Sequence, residues 1–167
     1  MRVSAKADYA VRAAAELAAA AGQARPLKRE QIATAQGIPS KFLETILLEL
    51  KHAGLIKSQR GAAGGYSLAR PPSDISVADV IRAVEGPLAH VRGERVETVE
   101  YAGAAAHLRD VWVAVRASLR EVLETTTLDD LVRGRLPRRV RQLTRDPEAW
   151  VSLGRSRRPR PARQSRS

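Results

Sequence analysis

In Arg29–Leu48, "REQIATAQGIPSKFLETILL", Gly37 and Pro39 stand two residues apart between two runs of helical apolar spacing. Few folds accommodate that pattern. Ile32 and Ala33 lie one turn before Gly37, which accepts a positive φ without steric cost, so the backbone is expected to reverse there. Ile38 follows as a core plug, Pro39 stops the first helix from continuing, and Ser40 is expected to cap the second. Leu43, Ile46, Leu47 and Leu50 then repeat at i, i+3, i+4 and i+7, a single buried stripe. Lys51 and His52 fill the last turn, and Gly54 is expected to end it. A small residue, a glycine four on, and apolar residues six and nine after that make helix-turn-helix spacing. Small Ala33 lets the two helices cross closely. An αα corner in any helical domain shares much of this pattern, so the next segment decides.

That segment, "GLIKSQRGAAGGYSLARPP", holds apolar Leu55 and Ile56 before polar Lys57, Gln59 and Arg60. Tyr66 and Leu68 alternate with Ser67 and Ala69, so both flanks of the glycines read as short half-buried strands. A phosphate-cradling loop of the Walker type needs Gly-Lys-Ser/Thr opening a helix, and a dinucleotide fingerprint needs G-x-G-x-x-G before one. Neither is present. A β-hairpin directly after a helix-turn-helix is a wing. Gly61, Gly64 and Gly65 keep its tip slim, and Lys57, Arg60 and Arg70 can approach phosphates. Glycines that merely satisfy turn geometry would look the same, and the two readings are compatible.

Around this centre lie three further elements. Ser4–Ala21 reads as an Ala-rich helix with Tyr9, Ala13, Leu17 and Ala20 on one stripe. "SVADVIRAVEG" opens on Ser76 with Asp79 three later, a capping-box variant, and closes at Gly86. Beyond an irregular charged link, Leu108, Trp112, Val115, Leu119 and Val122 step by four and three. This is a coiled-coil seam on a helix expected from Ala104 to Glu124, about 30 Å long. A helix packing into its own subunit would show the same spacing.

Charge separates the body from its end. The net charge is +11, but residues 1–132 hold 17 Lys and Arg against 16 Asp and Glu. Residues 133–167 hold 12 Arg against Asp146 and Glu148. The basic surplus points to a polyanion, yet it belongs to the end and not to the body. "LPRRVRQL", Leu136–Leu143, is expected to form one short helix after Pro137, within a basic extension over 133–150. Residues 151–167 are expected to be a disordered Arg/Pro-rich tail, either a phosphate-binding arm or a solubilising extension. No cysteine is present, which excludes disulfides and thiolate-held metal or iron–sulfur sites. No apolar run reaches the roughly 18 residues of a membrane span, and the N-terminus lacks signal-peptide order, so a cytoplasmic location is expected. No nucleophile–base pair or metal cluster has a reliable spacing, and no enzymatic activity or cofactor is expected.

The run "F-L-E … L-x-x-A-G-L-I-x-S-x-R-G-A-x-G-G-Y-x-L-A-R-P-P" resembles the Rrf2 family of bacterial winged-helix transcription regulators, the IscR, NsrR and CymR type. The likeness covers about residues 1–130. It implies a mainly α fold with a small hairpin wing: a winged helix-turn-helix over 1–72, with the helix pair at 28–53 and the wing at 55–70. A linker and dimerisation helix would follow over 73–132. It further implies a homodimer reading a palindromic operator in double-stranded DNA, with repression expected and the seam Leu108, Trp112, Val115, Leu119 and Val122 as the dimer contact. Carried over by position, the reading face is Ser40, Lys41, Glu44 and Thr45, and Lys28 and Arg29 meet the DNA backbone. Arg60 matches the family's wing arginine, beside Lys57, Gly64, Gly65 and Tyr66; a solvated surface is the alternative for each lone side chain. Members with iron–sulfur clusters keep three cysteines in the link, and residues 86–106 here have none. His90 and His107 alone do not make a metal site. The effector is left open between a small molecule near the dimer helix, a partner protein, and none. Non-specific nucleic-acid binding through the Arg-rich tail is the alternative function.

Overall fold

The computed structural model describes residues 3–23 and 25–151. Helix α1 (Ala5–Ala19) is the central strut, packed against four other helices, α2 (Arg29–Gln36), α3 (Ser40–His52), α4 (Val77–Glu85) and α6 (Leu128–Arg133). Alanine makes that possible. Ala7, Ala10, Ala13, Ala14 and Ala18 are buried with Leu17, and their short side chains let neighbouring backbones approach from several directions. This face differs from the stripe the sequence suggests, because Tyr9 and Ala20 are only half-buried. The Tyr9 ring instead stands edge-on to Phe42 at 5.9 Å, with the Arg12 guanidinium 5.5 Å from its centroid.

Polar ties reinforce the strut. Lys6 Nζ donates to Glu49 on α3 at 2.7 Å and to the Val84 carbonyl at the end of α4 at 2.9 Å. Gln36 Nε2 donates to Glu16 at 2.7 Å, fastening α2 to α1. Leu43, Ile46, Leu47 and Leu50 are buried as their spacing predicts, in one core with Ile32, Ile38, Ile75, Val80 and Leu128. A single residue shifts at the start of α3. Pro39 occupies the cap position and its carbonyl accepts from the Leu43 N–H at 3.1 Å, leaving Ser40 as the first helical residue.

Strands β1 (Ile56–Gln59) and β2 (Gly65–Leu68) form the antiparallel hairpin, in register Ile56 to Leu68 and Gln59 to Gly65. After α4, capped by the reciprocal Ser76–Asp79 pair, the link is more ordered than expected. Strands β3 (His90–Val91) and β4 (Glu94–Arg95) pair across Arg92 and Gly93, both at positive φ as a tight two-residue hairpin turn demands. Val96 and Val99 then bury beneath α5 (Leu108–Leu123). That helix starts four residues later than Ala104. Gly103, at φ +58, turns the chain, and residues 103–105 wind into a short 3-10 turn instead.

The chain returns to the core through an isolated bridge between Ser76 and Thr127. Val77 N–H donates to the Thr126 carbonyl at 2.8 Å, and Leu128 N–H to that of Ile75 at 2.9 Å. A second capping box, Thr127 with Asp130, opens α6. The backbone N–H and hydroxyl of Thr127 hold the Asp130 carboxyl below the ordinary carboxylate range. Helix α7 (Arg138–Thr144) follows Pro137, as the sequence suggests. The Arg/Pro-rich tail beyond residue 151 lies outside the described residues.

Candidate nucleic-acid interface

The helix pair turns where its glycine stands. Gly37 adopts φ +60 and ψ +37, and Ile38 N–H closes the turn onto the Ala33 carbonyl at 3.0 Å. Because α3 buries one stripe against α1 and α2, its opposite face carries Ser40, Lys41, Glu44 and Thr45 into solvent. Leu48 extends that exposed face by one further turn. Glu44 is not isolated there. Its carboxylate lies 3.4 Å from Arg29 Nη1, and Arg29 Nη2 is 3.2 Å from Glu30. The Glu30 carboxyl is held low by its own backbone N–H and, more weakly, by Arg29.

The hairpin is anchored by a contact that pattern reading misses. Leu27 bridges to Tyr66, its N–H donating to the Tyr66 carbonyl at 3.0 Å and its carbonyl accepting from Tyr66 N–H at 2.8 Å. The segment leading into α2 thereby acts as a third strand of the wing. A single bridging residue has no periodicity, so nothing in the sequence marks it. Its consequence is positional: Lys28 and Arg29, next in the chain, line one open groove of about 420 Å³ with Ser58, Arg60, Gly64 and Tyr66.

Gly64 and Gly65 earn their identity by close approach. A Cβ on Gly64 would sit 2.3 Å from the Gln59 carbonyl oxygen, and one on Gly65 2.5 Å from that of Leu27. Gly61, at φ +99, supplies the turn itself. Strand alternation sends Lys57 the other way. It lines a separate groove of about 500 Å³ with Arg25 and Arg70. The basic residues therefore form two clusters, one on each side of the hairpin, and Arg25 is a member that sequence reasoning overlooked. Among the described residues Lys28, Lys41, Lys57 and Arg60 form no ion pair.

The seam residues Leu108, Trp112, Val115, Leu119 and Val122 are all half-buried, Val111 and Val113 are exposed, and no residue of α5 is fully buried. Among the described residues no helix is long and apolar enough to cross a membrane.

Comparison with known proteins agrees with this architecture. Residues 3–134 match the profile of the Rrf2 family, described as iron-dependent transcriptional regulators. A protein of Mycobacterium tuberculosis named as an HTH-type transcriptional regulator, Rv1287, is 51% identical over 152 residues, spanning 91% of this chain and 94% of its own. The HTH-type transcriptional regulator CymR of Bacillus subtilis is 38% identical over 131 residues, spanning 78% and 89%. The solved structure of CymR, described as the global cysteine regulator of B. subtilis, superposes with TM-score 0.66 at 37% identity over 79% of this chain and 96% of that one. That of T. potens IscR does so with TM-score 0.64 at 35% identity over 92% and 94%. An iron–sulfur cluster of the thiolate kind does not fit these residues: the chain has no cysteine, and among the described residues no group of three or more His, Asp or Glu is placed to hold a metal. A helix-turn-helix with a glycine-tipped wing, matched over nearly its whole described length by regulators of one kind, leaves no room for an enzyme reading; this chain belongs to the Rrf2 family and is a DNA-binding transcription regulator.

Proposed function

We propose that the protein works in the cytoplasm as a homodimer that binds a palindromic operator and represses by occupying it. The observation that carries this reading is the Leu27–Tyr66 bridge, which gathers Lys28, Arg29 and Arg60 round one groove, with Arg29 3.4 Å from Glu44 on the exposed face of α3. Helix α3 enters the major groove. Lys41 donates to guanine or phosphate, Glu44 accepts from cytosine N4, and Ser40 and Thr45 meet base edges or a thymine methyl. The wing reaches the flanking minor groove, where slim Gly64 and Gly65 let the backbone come close and Tyr66 sets the strand. Arg60, Lys28 and Arg29 on one side and Lys57 on the other contact phosphates. On this reading residues 1–72 read DNA, 73–132 connect and dimerise, and 133–150 extend the basic end.

The half-buried seam of α5 supports the dimer, since a helix with no buried residue of its own has an apolar face to share. Footprinting and competition binding test the proposal. A protected two-fold site, favoured over scrambled DNA by about 4–10 kcal/mol, is expected, and equal affinity for both refutes it. A second reading, non-specific binding through the tail, is favoured by the charge surplus in residues 133–167. Deleting 151–167 separates the two: sequence preference survives under the first and binding vanishes under the second.

A further inference from the structure

Between α4, the β3–β4 link and α5 lies a cleft of about 320 Å³ to which the DNA-reading face contributes nothing. Arg82 comes from α4, His90 and Arg95 from the link, and Arg116 and Arg120 from α5. Four guanidinium groups rarely share so small a space without an anion between them. Here two internal carboxylates hold them apart. Glu97 accepts from Arg95 Nε at 2.8 Å and from Arg116, and Glu124 accepts from Arg120 Nε at 2.9 Å and from Arg82. Asp79 stands 3.8 Å from Arg82.

These contacts leave most of the donor capacity unused. Four guanidiniums present roughly twenty N–H donors, and the carboxylates engage two nitrogens on Arg95, two on Arg82 and one each on Arg116 and Arg120. Three carboxylates face four cations, so the cleft retains a positive excess. Glu97 and Glu124 are ionised at any physiological pH. The Glu97 carboxyl is lowered to about 2 by its own backbone N–H and by Arg116, and that of Glu124 is lowered by Arg82 and then Arg120. Leu88 and Val96 add an apolar wall, and Ala89 at its edge is held at φ +58. A non-glycine residue in that conformation is strained, and such strain gathers where a site needs a fixed shape.

We infer that this cleft binds a small organic dianion, whose two anionic groups replace or share the places of the Glu97 and Glu124 carboxylates between the paired arginines. The required separation follows from α5. Arg116 and Arg120 are one turn apart, about 6 Å along the axis, which suits a short dicarboxylate or a phosphorylated carboxylic acid with few carbons between the charges. The volume suits such a ligand and little more. Occupancy reaches the DNA-reading unit through Arg82, because α4 packs directly on α1 and α3. That coupling rests on the operator-binding reading above, whereas the site itself does not.

Titration calorimetry on the full chain without DNA tests the site, using glutarate as the dicarboxylate and 3-phosphoglycerate as the phosphorylated carboxylate, with butyrate and sulfate as controls. Saturable binding of one dianion per chain is expected, at least tenfold tighter than butyrate or sulfate, and the stronger of the two probes tells a dicarboxylate from a phosphate ligand. Arg116→Gln should weaken it tenfold or more, while Glu97→Gln, which removes a competing carboxylate, should tighten it. The basic tail is intact in both variants, so opposite signs assign binding to the cleft. Non-saturable binding, binding that matches sulfate, or binding indifferent to Arg116→Gln overturns the inference. Operator affinity is then measured with and without the bound probe. A change of threefold or more is expected, and no change with saturated ligand overturns the coupling while leaving the site. Loss of operator recognition in the unliganded protein would instead refute the operator reading alone.

Discussion

Replacing Gly65 by alanine tests how the wing is held. The new Cβ would lie 2.5 Å from the Leu27 carbonyl oxygen and 2.8 Å from the carbonyl carbon, both backbone atoms that no rotamer change can move. The same carbonyl accepts the Tyr66 N–H, and Leu27 N–H donates in return. Two responses are open to the chain. If the bridge stays, the overpacking costs about 1–3 kcal/mol. If the bridge opens, two hydrogen bonds are lost at about 0.5–1.5 kcal/mol each, a similar sum, so the protein takes the cheaper route and loses about 1–3 kcal/mol. For a domain of this size each kcal/mol lowers Tm by about 2–4 °C. Gly61→Ala is the control: it meets nothing within 4 Å, and its φ of +99 costs stability without touching the bridge. Thermal melting is therefore combined with amide hydrogen exchange at Leu27 and Tyr66. Gly65→Ala should deprotect both amides and weaken operator binding about tenfold or more, because Arg60 is no longer fixed against Lys28 and Arg29 and a charge-assisted contact is worth about 1.5–3 kcal/mol. Gly61→Ala should leave both amides protected. Unchanged Tm and protection in Gly65→Ala, or equal deprotection in Gly61→Ala, would refute the bridge as the anchor.

Three other outcomes are expected. Glu44→Ala should alter base preference and release Arg29, whereas Arg60→Ala should weaken all sequences alike and make the salt slope shallower by about 0.9; competition binding across operator variants distinguishes them. Thr127→Ala should cost about 0.5–2 kcal/mol through loss of the α6 cap. Because the Asp130 carboxyl is lowered by that cap, its stabilisation is present above the unfolded carboxylate range and lost as pH falls through the lower folded value; an acid melt of Asp130→Asn should lack this component. Leu119→Asp, at the centre of the α5 seam, should yield monomers by sedimentation and abolish high-affinity operator binding while leaving the α1–α4 core folded.

The helix-turn-helix and its wing were legible because their signals are local. Gly37 between two apolar runs, the Leu43–Leu50 stripe and the glycines of the hairpin each report their own backbone or their own helix face. What escaped reading depends on atoms far apart in sequence. Leu27 pairs with Tyr66 as a lone residue, and the face that α1 buries is set by four helices crowding Leu17 and its alanines, not by Tyr9. Alanine favours helix in residues 104–106, yet one left-handed glycine at 103 delays α5 until Leu108. The arginines of the cleft are the extreme case. Arg82, Arg95, Arg116 and Arg120 read singly as solvated surface, and only the fold makes them neighbours.

The link also bears on how such a regulator can respond without thiolates. Where a metal holds a segment, metal loss unfolds it. Here residues 86–106 are held by Val96 and Val99, both almost fully buried, and by Glu97 between two guanidiniums. The two kinds of contact differ in what they permit. Buried valines fix the fold of the link and leave no graded alternative, because emptying their sites costs stability outright. The carboxylate–guanidinium pairs are partly exposed, so each is worth little alone and exchanges partners at small cost. A signal acting through the pairs can therefore shift α4 against α5 while the valine floor keeps the segment folded. Val99→Ala, which removes a buried floor residue that does not line the cleft, should lower stability without altering dianion affinity in the folded protein, and Glu97→Gln should alter affinity with little effect on stability. If both variants change both properties together, floor and pairs are one cooperative unit, and the link cannot serve as a switch separate from the fold.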